Sequence, residues 1–177
     1  MKRFLSTAGI LLIVAATFAV HEASHAVTGH LLGYKMYARI NSSGLEAGEY
    51  RSNFDRDLVT AAGPLVTLLQ GLVGAAIAVR YKWRPALTVV LAALMMRVLA
   101  AVASLSTPND EASLSLSWGL GYWTIHVVVI LILLLLTIVT VKRIGYGKSD
   151  LLSTLGIICL GMVVIVVTEP YLPALHL

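Results

Sequence analysis

Apolar residues run in five long blocks along this chain, at about 4–32, 58–79, 86–105, 120–141 and 151–167, with short polar stretches between them. Most of these blocks reach or approach the roughly 20 residues that cross a bilayer as a helix. The fifth is the shortest and fits either a span of little tilt or a partly re-entrant segment. No repeat and no low-complexity linker interrupts the pattern. It predicts an all-α membrane protein, a bundle of about five transmembrane helices that forms one polytopic domain over 1–177.

One stretch breaks the pattern. Between 34 and 50, Tyr34, Tyr37, Ile40 and Tyr50 are interleaved with polar residues around Asn41-Ser42-Ser43-Gly44. This resembles a short β-hairpin with a glycine-containing turn. A strand edge there could pair with an extended substrate; an ordinary solvated loop is the other reading, and both stay open.

Composition agrees with lipid as the solvent. Of 177 residues, 58% are hydrophobic and 12% charged, against about 45–50% and about 25% in soluble domains. Mean hydropathy is +0.87. The net charge of +4 does not point to nucleic acid, because no basic stripe with interleaved aromatics is present. The lone cysteine, Cys159, offers neither a disulfide framework nor a thiolate zinc site.

The basic residues set an orientation instead. Lys2 and Arg3, then Arg80, Lys82 and Arg84, then Lys142, Arg143 and Lys148 fall on one side if the helices alternate. On the other side Lys35, Arg39, Arg51 and Arg56 are offset by Glu46, Glu49, Asp55 and Asp57. The positive-inside rule then places the N-terminus in the cytoplasm and the C-terminus outside, in a plasma (inner) membrane. Met1-Lys2-Arg3 and the apolar residues to Ala19 also suit a cleaved signal peptide. The apolar run continues to Leu32, which favours an uncleaved anchor.

The first block carries the chemistry. His21-Glu22-Ala23-Ser24-His25 puts two imidazoles four residues apart, on one helix face, where both can reach one metal ion. Glu22 is the candidate catalytic residue: in this motif its carboxylate takes a proton from the attacking water and later passes it to the leaving amine. The bland reading is a polar cluster satisfied between helices. Ionisable groups inside a hydrophobic segment are costly, however, and functional by default. His30 is not expected to be a ligand: on a continuous helix it points about 140° from His25 and about 180° from His21. Gly29 and His30 also miss the offsets of the HExxHxxGxxH motif.

Catalytic zinc takes three protein ligands and an open position. His21 lies 17 residues after Phe4, roughly 25 Å along a helix, so the motif falls toward the outer side. The third block ends on that same side, and Asp110 emerges there with Glu111 as the alternative ligand. N-capping of the next helix is the structural reading of Asp110.

These residues resemble the site-2 protease-like intramembrane metalloproteases (peptidase family M50). The resemblance rests on HExxH in a membrane helix, on Ala61-Ala62-Gly63-Pro64-Leu65-Val66 opening the next helix, and on a late Asp matched by Asp110. The hairpin fits the family's small membrane-associated sheet. The likeness covers roughly 10–115 and implies a divergent member: a zinc endopeptidase with His21, His25 and Asp110 as ligands, acting on a membrane-embedded or juxtamembrane protein or peptide. Two departures stand out. Thr67 replaces the Asn that family members often carry three residues after that Pro, and Asn109-Asp110-Glu111-Ala112 replaces Leu-Asp-Gly. Thr67 can still hydrogen-bond, and Asn109 is a candidate for stabilising the oxyanion.

Among the other polar residues, His126 is expected in a helix–helix contact, and Arg97 beside a carboxylate or a wet cavity. Gln70 reads as a packing group. Gly71, Gly74, Ala75 and Ala78 suggest close helix approach. The alternative to a protease is a non-hydrolytic metal-binding membrane protein, a transporter or an inactive relative. Glu22 argues against it, because a transport site needs no general base beside its ligands. A membrane protease of another HExxH family, with Glu111 or Glu49 as third ligand, is the remaining reading.

Overall fold

A computed structural model describes residues 6–177; Lys2, Arg3 and the start of the first block at Phe4 lie outside the described residues. Helix α1, Thr7–Leu31, starts behind Ser6, whose hydroxyl accepts the Gly9 N–H at 3.2 Å. Strands β1, Met36–Ala38, and β2, Ser43–Leu45, follow as an antiparallel hairpin with Tyr37 opposite Gly44. The glycine expected in the turn therefore lies in β2. A Cβ there would stand 3.2 Å from the Tyr37 ring, so the cross-strand aromatic accounts for the residue.

Helix α2, Asn53–Tyr81, begins five residues before the apolar block because Ser52 caps it, accepting the Asp55 N–H at 3.1 Å. Helix formation needs a cap and backbone bonds rather than apolarity, so the charged residues Asp55, Arg56 and Asp57 form its first turns. Helix α3, Arg84–Ala103, is followed by a helix the pattern did not announce: α4, Asp110–Ser117. It has eight residues and mixes serine with leucine, too short and too polar to read as a span. Gly119 and Gly121 then take φ of 66° and 86°, a left-handed turn that delays α5, Thr124–Ile144, by four residues against the apolar block.

Helix α6, Lys148–Thr168, runs for 21 residues and passes into a short 3-10 helix, Glu169–Tyr171. The fifth apolar block is thus long enough to span, and the re-entrant reading falls away. The last strand, β3, Leu175–His176, pairs with the free side of β1, giving the sheet order β2-β1-β3. β1 is enclosed on both sides, and β2 forms an edge.

Among the described residues, five helices are long and apolar enough to cross a membrane: α1, α2, α3, α5 and α6. Ile10, Val14 and Phe18 of α1 pack with Leu87, Val90 and Leu91 of α3 and with Ile158 and Met162 of α6. Outward-facing positions are also apolar, including Leu131, Leu135 and Val139 of α5 and Leu160, Val163 and Val167 of α6. A surface apolar on its outer side is stable when lipid covers it. Small residues let the backbones close up: at Gly74 of α2 a Cβ would lie 3.0 Å from the Ala86 carbonyl oxygen of α3.

Candidate metal centre

His21, Glu22 and His25 sit on the buried face of α1 where it packs against α2. Their rings are oriented from behind. Thr67 donates its hydroxyl proton to the Gly63 carbonyl at 3.0 Å, so its oxygen is left to accept, and His21 Nδ1–H donates to it at 3.0 Å. His25 Nδ1–H donates to the Val59 carbonyl at 2.6 Å, an acceptor with no proton of its own. Both imidazoles are thereby held in the tautomer that leaves Nε2 unprotonated.

Those two Nε2 atoms lie 3.2 Å apart, and Asp110 Oδ2 stands 3.2 Å from His21 Nε2 and 3.4 Å from His25 Nε2. With both Nε2 atoms unprotonated, three lone pairs would converge here, an arrangement that a cation relieves. A tetrahedral zinc ion with bonds of about 2.0–2.1 Å separates its ligand atoms by about 3.3 Å. The donor set and its spacing therefore fit zinc, and His21, His25 and Asp110 can hold a metal ion. Charge points the same way. Glu22 and Asp110 both line the cavity, and their carboxylates would favour a divalent cation there.

Gly63 makes the approach possible. A Cβ on this residue would come within 2.2 Å of His25 Nε2 and 2.4 Å of His21 Cε1. α2 therefore meets the imidazole pair through bare backbone. Pro64, next in the chain, lies inside α2 without breaking it.

The remaining residues singled out by sequence separate clearly. Asn109 caps α4, its Oδ1 accepting the Asp110 N–H at 2.7 Å, and it lines the cavity beside Asp110. Capping thus belongs to Asn109, while Asp110, the first residue of the helix, turns to the histidines. Thr67 stands behind His21, as an orienting group and not as a donor to substrate. Glu111 is outside the ligand cluster: its carboxylate pairs with Arg97 at 2.9 Å. His30 and Glu49 are exposed and also outside it. His126 makes a helix-to-helix bond to Ser104 Oγ at 3.0 Å.

Ser43 was not visible as a functional residue in the sequence. From β2 it donates to Glu22 Oε2 at 2.7 Å, tying the hairpin to the acid of the motif. No local signal could have marked it, since the contact depends on how the hairpin folds back over α1. Ser43 and Glu22 face a cavity of about 410 Å³ that also takes in His21, His25, Asp110 and Phe18. Tyr50 lines it too; burial, with the Tyr34 and Tyr37 phenols nearby, pushes its phenol above the ordinary range, so it stays neutral at physiological pH.

The Thr67–His21 bond is directly testable. Thr67→Val keeps the shape and removes the acceptor, and zinc affinity is expected to fall about 10–100-fold, the usual effect of losing an outer-shell partner. Chelator competition measures it; Thr67→Ser should retain wild-type affinity.

A family model described as Peptidase M50B-like matches residues 5–107, more than half of the chain. The matched stretch holds α1 to α3, and Asp110 lies just beyond it. No curated protein and no solved structure matched the chain.

Proposed function

The chain belongs to the Peptidase M50B-like family, and from that premise we propose that it is an intramembrane zinc endopeptidase, cutting a membrane-embedded or juxtamembrane segment of a protein substrate. The observation that carries this reading is the convergence of three potential ligand atoms, His21 Nε2, His25 Nε2 and Asp110 Oδ2, beside the carboxylate of Glu22.

Bound to that triad, zinc supplies Lewis acidity, polarising the scissile carbonyl and acidifying water toward neutral pH. The chain supplies the rest. Thr67 and Val59 hold the imidazoles in the ligating tautomer. Glu22 takes the proton from the attacking water and returns it to the departing amine. Ser43 orients Glu22 through the Oε2 hydrogen bond. Phe18, Met96, Leu99 and Val166 give the cavity an apolar wall, which suits an apolar substrate segment and limits the water around it.

Orientation follows from the basic clusters: the N-terminus in the cytoplasm of a plasma (inner) membrane and the site toward the outer side. His21 lies 14 residues into α1, roughly 21 Å along it, in keeping with that depth.

The test is the metal content of the detergent-solubilised protein, wild type beside His21→Ala and Asp110→Ala, with cleavage of transmembrane peptides assayed in parallel. The wild type is expected to hold about one zinc per chain, His21→Ala and Asp110→Ala to lose it, and cleavage to follow the metal. Zinc retained in Asp110→Ala would remove Asp110 from the ligand set. Zinc bound without any peptide cleavage would favour the non-hydrolytic metal-binding reading.

A further inference from the structure

A buried ion pair beside the centre has no part in the chemistry described above. Arg97 of α3 donates from Nη1 to Glu111 Oε1 at 2.9 Å, with the two side chains 3% and 0% exposed. Ionisable groups at this depth are expensive. Stability does not explain such a pair, since well-packed apolar replacements of buried ion pairs are often neutral or stabilising.

Its position does. Asp110 and Glu111 are consecutive in the first turn of α4, and their carboxylates diverge: one meets the histidines, the other meets Arg97. The same guanidinium places Nη2 3.5 Å from His21 Nδ1, a packing contact rather than a hydrogen bond, because Nδ1–H donates to Thr67. Arg97 thus touches both the helix that carries the first ligand and the helix that carries the third. At its ligand end α4 is also held by the packing of the buried Ala112 and Leu114, where it meets α2 and α5, and by the bond from Asn109 N–H to Ser104 Oγ at 3.1 Å. Ser104 also receives His126 Nε2–H, because its own proton goes to the Ala100 carbonyl at 3.0 Å. His126 Nδ1 then faces Glu111 Oε2 at 3.8 Å, too far for a hydrogen bond. Arg97 Nε and Glu111 Oε2 have no hydrogen-bond partner among the described residues. The connection between Arg97 and Glu111 therefore rests on one contact, the bond from Nη1 to Oε1.

We propose that Arg97 and Glu111 are positioning residues, a strut that holds Asp110 against the His21–His25 pair and so sets the affinity and geometry of metal binding. The proposal rests on the metalloprotease reading above. Glu111, the sequence's alternative ligand, then acts on the metal through its neighbour.

The test uses the full chain in detergent, with zinc affinity from chelator competition and the visible absorption bands of the Co2+-loaded protein as readouts. The variants are Glu111→Gln, Arg97→Lys and the double variant Arg97→Met/Glu111→Met, with helix content followed by circular dichroism. Glu111→Gln is expected to weaken zinc about 10–100-fold and to shift the Co2+ bands. The double variant leaves no charge unpaired, so it is the one most certain to fold, and the same loss is expected in it. Wild-type affinity and wild-type Co2+ bands in the folded double variant overturn the strut. Should the double variant lose its helices, Arg97→Lys decides: it keeps the charge and loses the planar fork, so roughly tenfold weaker binding supports the proposal and wild-type binding overturns it. A wild type that binds neither ion would sink the metalloprotease reading, and the strut with it.

Discussion

Glu22→Gln is expected to abolish measurable peptide hydrolysis while the protein keeps its zinc. The substitution replaces a carboxylate by an amide of nearly the same shape. Its carbonyl oxygen can still accept the Ser43 hydroxyl, which now reaches Glu22 Oε2 at 2.7 Å, so the hairpin has no reason to shift. The three atoms that could hold the metal belong to His21, His25 and Asp110 and are untouched. What disappears, on the proposed mechanism, is the group that takes a proton from water and hands it to the amine. Positioned general acid–base catalysis contributes about 10²–10⁴-fold, equivalent to about 3–5 kcal/mol of barrier. The measurement is kcat on a transmembrane peptide, with zinc per chain on the same preparation. Full activity in Glu22→Gln would remove Glu22 from the mechanism; loss of zinc together with activity would mean that Glu22 has a part in holding the metal.

Gly63→Ala is expected to disable the centre from the other side. The added methyl carbon would lie 2.2 Å from His25 Nε2 and 2.4 Å from His21 Cε1, far inside van der Waals contact. The rings have little freedom to retreat, being tied by Nδ1 to Thr67 and Val59. Either the imidazoles turn away or α2 separates from α1. Overpacking of this kind costs about 1–3 kcal/mol, and a displacement of about 1 Å at a catalytic group can cost about 100-fold in rate. Zinc affinity and turnover should therefore both fall by about 100-fold or more. Gly156→Ala is the control, because that helical glycine of α6 has nothing within 4 Å of a built Cβ. Matching losses in the two variants, or a fully active Gly63→Ala, would refute the close-approach argument.

Much of this protein is legible along the chain because lipid imposes a simple code. Each spanning helix must be apolar over about 20 residues, and all five helices fall on the five blocks. The ends shift wherever something other than apolarity starts or stops a helix: the Ser52 cap extends α2 across Asp55 to Asp57, and the glycine turn at Gly119 and Gly121 delays α5. α4 escaped notice because a short serine-containing helix satisfies no membrane rule. β3 escaped because its two residues, Leu175 and His176, find their partners in β1, more than a hundred positions away.

The same division runs through the candidate site. A spacing of four residues is a local quantity, and 3.6 residues per turn brings His21 and His25 to one face whatever surrounds them. The sequence alone therefore determined the pair of imidazoles, the adjoining carboxylate and the membrane helix that carries them. It left the third ligand open between Asp110 and Glu111, neighbours of identical charge. Only the tertiary structure distinguishes their surroundings: the first turn of α4 sends one carboxylate to the histidines and the other to Arg97. Likewise Thr67, Val59, Gly63 and Ser43 acquire their parts through contacts between elements. Such contacts depend on how whole helices and a hairpin pack together, and no periodicity within a single segment encodes that packing.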